Sequence, residues 1–310
     1  GQRAQEVKIF LEIHAVDILL ISETHFTARS YIKFPHYTVY STNHPDGTAH
    51  GGTAVIIRNR IKHHELAKYQ ENHIQATNVS IEIENIPAII SAVYCPPKHL
   101  ITPAAYTHFF KTLGNRFIAV GDYNAKHEHW GSRLTRTDGR RLMTAVQTNN
   151  LTWLSTGEPT YWPTDRRKKP DLLDFGIVKG INIRQCTVSS CFDLAADHSA
   201  IIVTVNSHIT QVKTQPAIYS RRTDWEYFRQ RLEYQLDLQV PLKDEYDIER
   251  AVTSLTELIQ NVAWEATPKL PIPQQTNNTP TTIKDKIAEK RRLRKRWQLT
   301  RSDLDKREYN

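Results

Sequence analysis

A set of polar side chains falls where apolar runs end, and their types suit the cleavage of a phosphodiester. Glu23 directly follows VDILLIS, and Tyr94 closes IPAIISAVY ahead of Pro96 and Pro97. Asp122 and Asn124 come just past RFIAV. Asp174 sits in LLDF, and Asp197 and His198 immediately precede SAIIVTVN. Loops at strand ends are where a rigid scaffold presents reactive groups. Phosphodiester hydrolysis needs a cation to neutralise the phosphate, and a hard divalent ion such as Mg²⁺ takes carboxylate oxygen. Glu23 is the suitable ligand, with Asp197 as a second candidate. Water must be aligned or deprotonated by an acid or an imidazole, and Asp122 and His198 are the candidates. A carboxylate on its other nitrogen fixes an imidazole in one tautomer, a role open to Asp174. Asn124 and Tyr94 are neutral donors for the water and the phosphoryl oxygens. Taken singly, each has an ordinary reading as a turn former, a solvated acid or a packed ring.

The elements that must position these residues are legible as periodicities. Residues 2–14 carry Val7, Phe10 and Leu11 at helical spacing. VDILLIS is a continuous apolar run of the kind a strand buried on both faces shows. GGTAVIIRN is a further strand, and VSIEIEN and IPAIISAVY form a hairpin. Helices are expected over 103–114 and 138–150, and strands at RFIAVGD, LLDFGIV and SAIIVTVN. The class is α/β with a largely β core. Beyond about residue 211 the texture becomes helical: a capping box at TDWE (Thr223 to Glu226), then a helix over 247–264. A Pro/Thr/Asn-rich linker follows, and a basic helix over 283–301.

The 310 residues suffice for one large domain or two ordinary ones, and 39% hydrophobic content supports a sizeable core. A net charge of +8 favours a polyanionic partner. Cys95, Cys186 and Cys191 include no CxxC and read as free thiols in a reducing compartment. No apolar run approaches the roughly 20 residues of a membrane helix. The N-terminus is no signal peptide and lacks an initiator Met, so the chain reads as cut from something longer. His127 and His129 look like a metal pair, but no Cys or third His lies at zinc spacing.

In order along the chain, SETHF, GGTAVIIRN, YCPP, GDYNAKHEHWGS, LLDF and ADHSA resemble the endonuclease/exonuclease/phosphatase superfamily. The likeness is greatest to the apurinic-like endonuclease domain of non-LTR retrotransposons of the jockey type, and it covers residues 1–206. Residues 223–298 also look like the region that precedes the reverse transcriptase in such polyproteins. The resemblance implies a four-layer α/β sandwich, two packed β-sheets flanked by helices, over 1–207, with a helical linker region over 208–310. It makes Glu23 the metal ligand, with Asp197 near it, and has Tyr94 contact the scissile phosphate. Asp122 activates or positions the water and Asn124 orients it. His198 contacts the phosphate or acts as base, oriented by Asp174. Asp174 is preferred over Asp171 because an aromatic follows it, as in the family.

The implied cofactor is Mg²⁺ or Mn²⁺. The implied partners are double-stranded target DNA, the element RNA and the reverse transcriptase domain of the same polyprotein, with no membrane. The place of action is the nucleus, after synthesis in the cytoplasm. Arg166, Arg167, Lys168 and Lys169 correspond to a surface hairpin that contacts DNA, and Trp130 is a further candidate contact. The family's first motif, a strand ending in Asn, is missing ahead of the first helix, which is expected to expose an apolar strand edge and weaken the metal site. Other readings of the same residues are a repair-type AP endonuclease, another phosphoesterase of this fold, or a catalytically inactive nucleic-acid-binding fragment.

Overall fold

The computed structural model describes residues 2–165, 167–212, 218–268 and 281–309. Arg166 and most of the Pro/Thr/Asn-rich linker lie outside the described residues. Two compact units emerge: residues 1–212 together with 279–310, and residues 213–278.

In the first unit, helix α1 (Gln2–Ile13) precedes β1 (Ile18–Ser22), β2 (Tyr37–Thr42) and β3 (Thr53–Arg58). These strands form an antiparallel sheet in the order β1-β3-β2. β3 is buried at every residue, since it is central and covered on both faces. Val55 and Ile57 join the core between the sheets, whereas Ile56 packs with Leu11 of α1. The run VDILLIS predicts a strand buried on both faces, but β1 is only half-buried along its length because it closes one edge of its sheet.

A seven-stranded sheet contains β4 (His63–Glu65), β5 (Tyr69–Gln70), β6 (Gln75–Ile83), β7 (Ile86–Tyr94), β8 (Phe117–Asp122), β9 (Thr152–Leu154) and β10 (Asp174–Lys179). The expected hairpin joins β6 to β7 through Glu84 and Asn85, both left-handed at φ 56° and 60°. That is the backbone of a two-residue type I′ turn. β7 crosses over through α2 (Pro103–Thr112) to the parallel strand β8. α2 and α3 (Thr137–Thr148) cover one face with Phe109, Phe110, Leu142 and Val146. The other face packs on the three-stranded sheet and on the hairpin of β11 (Cys186–Cys191) and β12 (Ala200–Val205). The order of layers is helix, sheet, sheet, helix: an α/β sandwich.

The expected DNA contact Trp130 belongs to this core. It is 1% exposed, stacks on Phe175 at 4.8 Å and donates its indole N–H to the Ala125 carbonyl. Its apolar area is worth more against Phe175 than in water, so it is a packing residue and not a surface contact. Trp162 is likewise buried.

Gly121 in the Gly-Asp step is set by packing. A Cβ there would stand 1.8 Å from the Val93 carbonyl oxygen of the neighbouring strand. Gly121→Ala is therefore expected to destabilise the fold by about 3 kcal/mol or more, read as a lower midpoint in denaturant unfolding.

The second unit contains α4 (Trp225–Gln235) and α5 (Glu245–Ala266). The sequence places the cap of α4 at Thr223; the structure places it at Asp224, whose carboxylate accepts from the Glu226 and Tyr227 amides. Thr223 bonds instead with Thr267 and the Ser220 amide, which pulls it out of the cap. Ile248, Val252, Leu255 and Ile259 of α5 are exposed.

The basic helix α6 (Thr281–Thr300), expected with this helical region, belongs with α7 (Asp303–Tyr309) to the first unit. Arg291 pairs with Asp193 at 3.4 Å and Lys295 lies over the Phe192 ring. Charge alone gives no sign of this docking, which depends on an acid and an aromatic about a hundred positions upstream. Among the described residues, no helix is long and apolar enough to cross a membrane. The three cysteines are free thiols.

Candidate active site

Strand register assembles the site. Tyr94 is the Cα partner of Asp122 across the parallel β7–β8 pair, and Asp122 is the partner of Asp174 across β8–β10. Residues directly opposite in a sheet point to the same face, so these three side chains stand abreast. Glu23 arrives from the other sheet, one residue past β1. Ser22 ties the two sheets together at this point: its hydroxyl donates to the Val93 carbonyl at 2.8 Å and accepts from the Asp122 amide at 3.2 Å.

The backbone around the cluster is strained. Glu23, His25 and Asn124 all adopt left-handed φ values, 54°, 53° and 47°. Non-glycine residues hold that conformation only where surroundings impose it, and such residues concentrate at functional sites. The glycine pair of GGTAV imposes it on the Glu23 loop. The Gly52 and Gly51 carbonyls accept from the Thr24 and His25 amides. Gly52 is itself at φ +80°, where a Cβ would meet Thr24 Oγ1 at 2.7 Å.

Within the cluster, His198 Nδ1 bonds Asp174 Oδ2 at 2.7 Å. Thr160 Oγ1 accepts from the Asp174 and Leu173 amides at 3.0 Å each and so fixes the start of β10. The Asn124 amide group donates to Asp122 Oδ2 at 2.8 Å and to the Cys95 carbonyl at 3.1 Å, and its backbone N–H donates to Asp122 Oδ1. The Tyr94 hydroxyl donates to Glu23 Oε1. Tyr161 sits against the His198 ring with centroids 5.0 Å apart.

Asp171, the competing acid in DLLDF, does different work. It is 1% exposed, pairs with Lys126 at 2.8 Å and accepts from the Arg133 amide. Burial opposes its charge, but the Lys126 bond prevails and holds it below the usual carboxylate range.

Electrostatics follow from crowding carboxylates in a dry place. Asp122 is pushed well above the ordinary range, first by burial and then by the Asp174 charge, with Glu23 adding to it. Burial pushes His198 down, but its bond to Asp174 and the charges of Asp174, Asp122 and Asp197 outweigh that and raise it to about 9. Burial and then the Glu23 bond raise the Tyr94 phenol, so it remains a donor.

This donor set fits a hard divalent cation. The ligands on offer are carboxylate oxygens, the Glu23 side chain is 47% exposed and open to an incoming ion, and the cluster carries more acid than base. Asp197 is exposed, its carbonyl accepts from the Trp162 amide, and its charge acts on His198.

A cleft of about 720 Å³ opens beside Asn124 and Tyr161, with Lys126, Arg133 and Arg136 on its walls together with Arg167, Lys168 and Lys169. Arg167, Lys168 and Lys169 thus share a cleft with Asn124 and Tyr161. His127 and His129 lie apart from it: His127 Nδ1 accepts from the His129 amide, and both rings pack near Trp130 and Trp153.

Ser22, Thr160 and Tyr161 escape a reading of the sequence. Tyr161 alone carries a local signal, an aromatic in TYWP just ahead of the basic run.

The family described as endonuclease-reverse transcriptase matches residues 88–202. The chain is 31% identical over 265 residues to the RNA-directed DNA polymerase from mobile element jockey of Drosophila funebris, covering 86% of this chain and 29% of that protein. It is 32% identical over 315 residues to the probable RNA-directed DNA polymerase from transposon X-element of Drosophila melanogaster, covering 98% of this chain and 34% of that protein. The chain therefore spans about a third of the length of these curated relatives.

Among solved structures, the endonuclease domain of TRAS1, a telomere-specific non-LTR retrotransposon, superposes with a TM-score of 0.53 at 21% identity, over 66% of this chain and 92% of that one. The AP endonuclease from Leishmania major gives 0.54 at 12% identity, over 67% and 83%. At these identities the structures speak to the fold, and they agree with the sandwich described above. Fold, motif order and relatives converge: residues 88–202 match the endonuclease-reverse transcriptase family, and the chain as a whole is similar to part of the RNA-directed DNA polymerases of jockey-type mobile elements.

Proposed function

We propose that this chain is a DNA endonuclease that uses Mg²⁺ or Mn²⁺ to nick one strand of target DNA and leaves a 3′-hydroxyl from which the reverse transcriptase of the same polyprotein primes. The observation that carries the reading is the abreast placement of Tyr94, Asp122 and Asp174, with His198 bonded to Asp174.

The roles follow from charge. Asp122, with its raised proton affinity, takes the proton of the attacking water, and the Asn124 amide fixes the carboxylate that does so. His198, raised to about 9, is an imidazolium at neutral pH. It donates to a phosphoryl oxygen, so its part is charge stabilisation and not proton abstraction. Tyr94 donates to the same phosphate once the substrate displaces its bond to Glu23. Glu23, with Asp197 at the margin, would hold the cation, which supplies neutralisation of the phosphoryl charge and of the leaving oxygen. Water adds to phosphorus as the bond to the 3′-oxygen breaks, which gives a 5′-phosphate and a 3′-hydroxyl.

Lys168, Lys169 and Arg167 would bind backbone phosphate on one side of the nick. Replacing all three by Ala is expected to weaken DNA binding across sequences and to reduce the slope of log K against log salt by about 1 per lost phosphate contact. Double-stranded DNA in the nucleus is the proposed substrate, with the element RNA and the polymerase domain as proposed partners.

The chemistry of the ends tests the reaction. Nicked plasmid should be extended directly by a DNA polymerase. Ends that need phosphatase treatment first would assign the scission to the other phosphate oxygen and overturn this reading.

A further inference from the structure

The loop between β2 and β3 carries a cluster that the phosphodiesterase site does not use. His44, Asp46 and His50 each offer one ligand atom, and these atoms lie within 4.8 Å of one another. The carboxylate bridges the rings: His44 Nδ1 is 2.8 Å from Asp46 Oδ1, and His50 Nε2 is 3.6 Å from Oδ2. The ring centroids are 3.8 Å apart. With metal–ligand bonds of about 2.0–2.1 Å, tetrahedral geometry places neighbouring ligand atoms roughly 3.3 Å apart. The two separations, each to a different oxygen of Asp46, lie on either side of that value, so a small turn of the carboxylate or of the exposed His50 ring would let one oxygen serve both.

The hydrogen bonds around the cluster hold its rings in place. The Asp46 amide donates to His44 Nδ1 at 3.4 Å, and the Thr48 hydroxyl bonds both Asp46 Oδ1 and His50 Nδ1. His50 Nε2 faces the carboxylate. This is the arrangement that orients metal-bound imidazole, with the second ring nitrogen held by an outer hydrogen bond. His44 is almost buried and fixed, whereas Asp46 and His50 are about half exposed and have room to adjust.

A second such cluster, His14, Cys191 and Asp193, is opposed by the Arg291 guanidinium 3.4 Å from the same Asp193 oxygen. Among the described residues, the carboxylate of the cluster at 44–50 pairs with the two imidazoles and accepts from the Thr48 amide, with no Lys or Arg bonded to it.

We infer that His44, Asp46 and His50 form a binding site for a borderline transition cation, Zn²⁺ above all, with a fourth position left to water. Two imidazoles and one carboxylate suit Zn²⁺ and discriminate against Mg²⁺, which prefers oxygen. The site is separate from the carboxylate cluster in chemistry and close to it in space. The ligand loop ends in Gly51 and Gly52, whose carbonyls hold the Glu23 loop, and a Cβ on Gly51 would touch both the His44 and the Tyr94 rings at 3.4 Å. A bound ion would clamp that loop without taking part in phosphate chemistry.

The test is a titration of the untagged chain with Co²⁺ in excess Mg²⁺, which occupies oxygen sites and adds no colour. One equivalent of Co²⁺ should give the intense visible bands of a four-coordinate centre, and Zn²⁺ should displace it. Both His50→Ala and His44→Ala should weaken binding by more than the roughly 10–100-fold that loss of an outer hydrogen-bond partner costs. Glu23→Gln should bind Co²⁺ as the parent does, so a failure of the nuclease reading leaves this result intact. His50 is 52% exposed, so its replacement leaves the core untouched. Absence of the bands in the parent chain, or unchanged bands in His50→Ala, would overturn the site.

Discussion

His198→Ala is expected to lower plasmid nicking by about 10³-fold, with little change in DNA affinity, because the donor acts on charge that develops in the transition state. The imidazole is raised to about 9 by its bond to Asp174 and by the charges of Asp174, Asp122 and Asp197, against the effect of burial. In the parent, activity should therefore fall at the alkaline side as His198 loses its proton near pH 9. Asp174→Asn keeps the shape and removes the anionic partner. It should shift that alkaline limb to lower pH as well as slow the reaction, a pH-profile readout that a merely structural role would not produce.

Stability should carry the same signature. An unfolded imidazole titrates near 6.5. The folded value lies above it, so the stabilisation is complete below about pH 6.5 and is lost as pH rises through about 9. Urea midpoints measured between those limits should decline in the parent and be flatter in Asp174→Asn. An alkaline limb that stays in place in Asp174→Asn would remove His198 from the role assigned here.

Asp122→Asn separates function from stability in the opposite sense. Asp122 is 4% exposed, and burial together with the Asp174 charge holds its carboxyl well above the ordinary range. An unfolded Asp titrates near 3.9. A folded value above that means the folded state binds more protons, so this group costs stability as pH rises from about 3.9 toward the folded value. The amide removes that cost but keeps an acceptor for only one of the two Asn124 donors, which use separate oxygens of Asp122. The variant's melting temperature should therefore depend less on pH above about 3.9 than the parent's, and its nicking rate should fall by about 10³–10⁴-fold, the range for a general base. A melting temperature that falls with pH as the parent's does, with retained nicking, would reverse both assignments.

The site was legible because its residues stand at the ends of strong apolar runs. Glu23 directly after VDILLIS and Asp122 as the last residue of β8 are placed by the ends of apolar runs. Their mutual register was not legible. It depends on β7 and β8 being parallel and β8 and β10 antiparallel, which local pattern does not encode.

Ser22 and Thr160 were invisible for a related reason. A hydroxyl that bridges two sheets looks like any strand-end residue until the sheets are stacked. β2 and β11, YTVYST and CTVSSC, carry too few apolar positions to stand out, because one is largely half-buried and the other alternates between intermediate and exposed. Trp130 misleads in the other direction: an aromatic among polar residues looks like a surface contact, yet its apolar area is spent on Phe175. The docking of α6 is hidden because a basic run reads as solvated until Asp193 and Phe192 are found opposite it.

The most direct test of the central claim is nicking of supercoiled plasmid by the parent chain in Mg²⁺, compared with Glu23→Gln and with the parent in EDTA. The account predicts conversion to open circles by the parent in Mg²⁺, and no conversion above background in the other two. Nicking that persists in Glu23→Gln or in EDTA, or a parent chain that binds DNA without nicking it, would contradict the assignment of this cluster as a metal-dependent phosphodiesterase site.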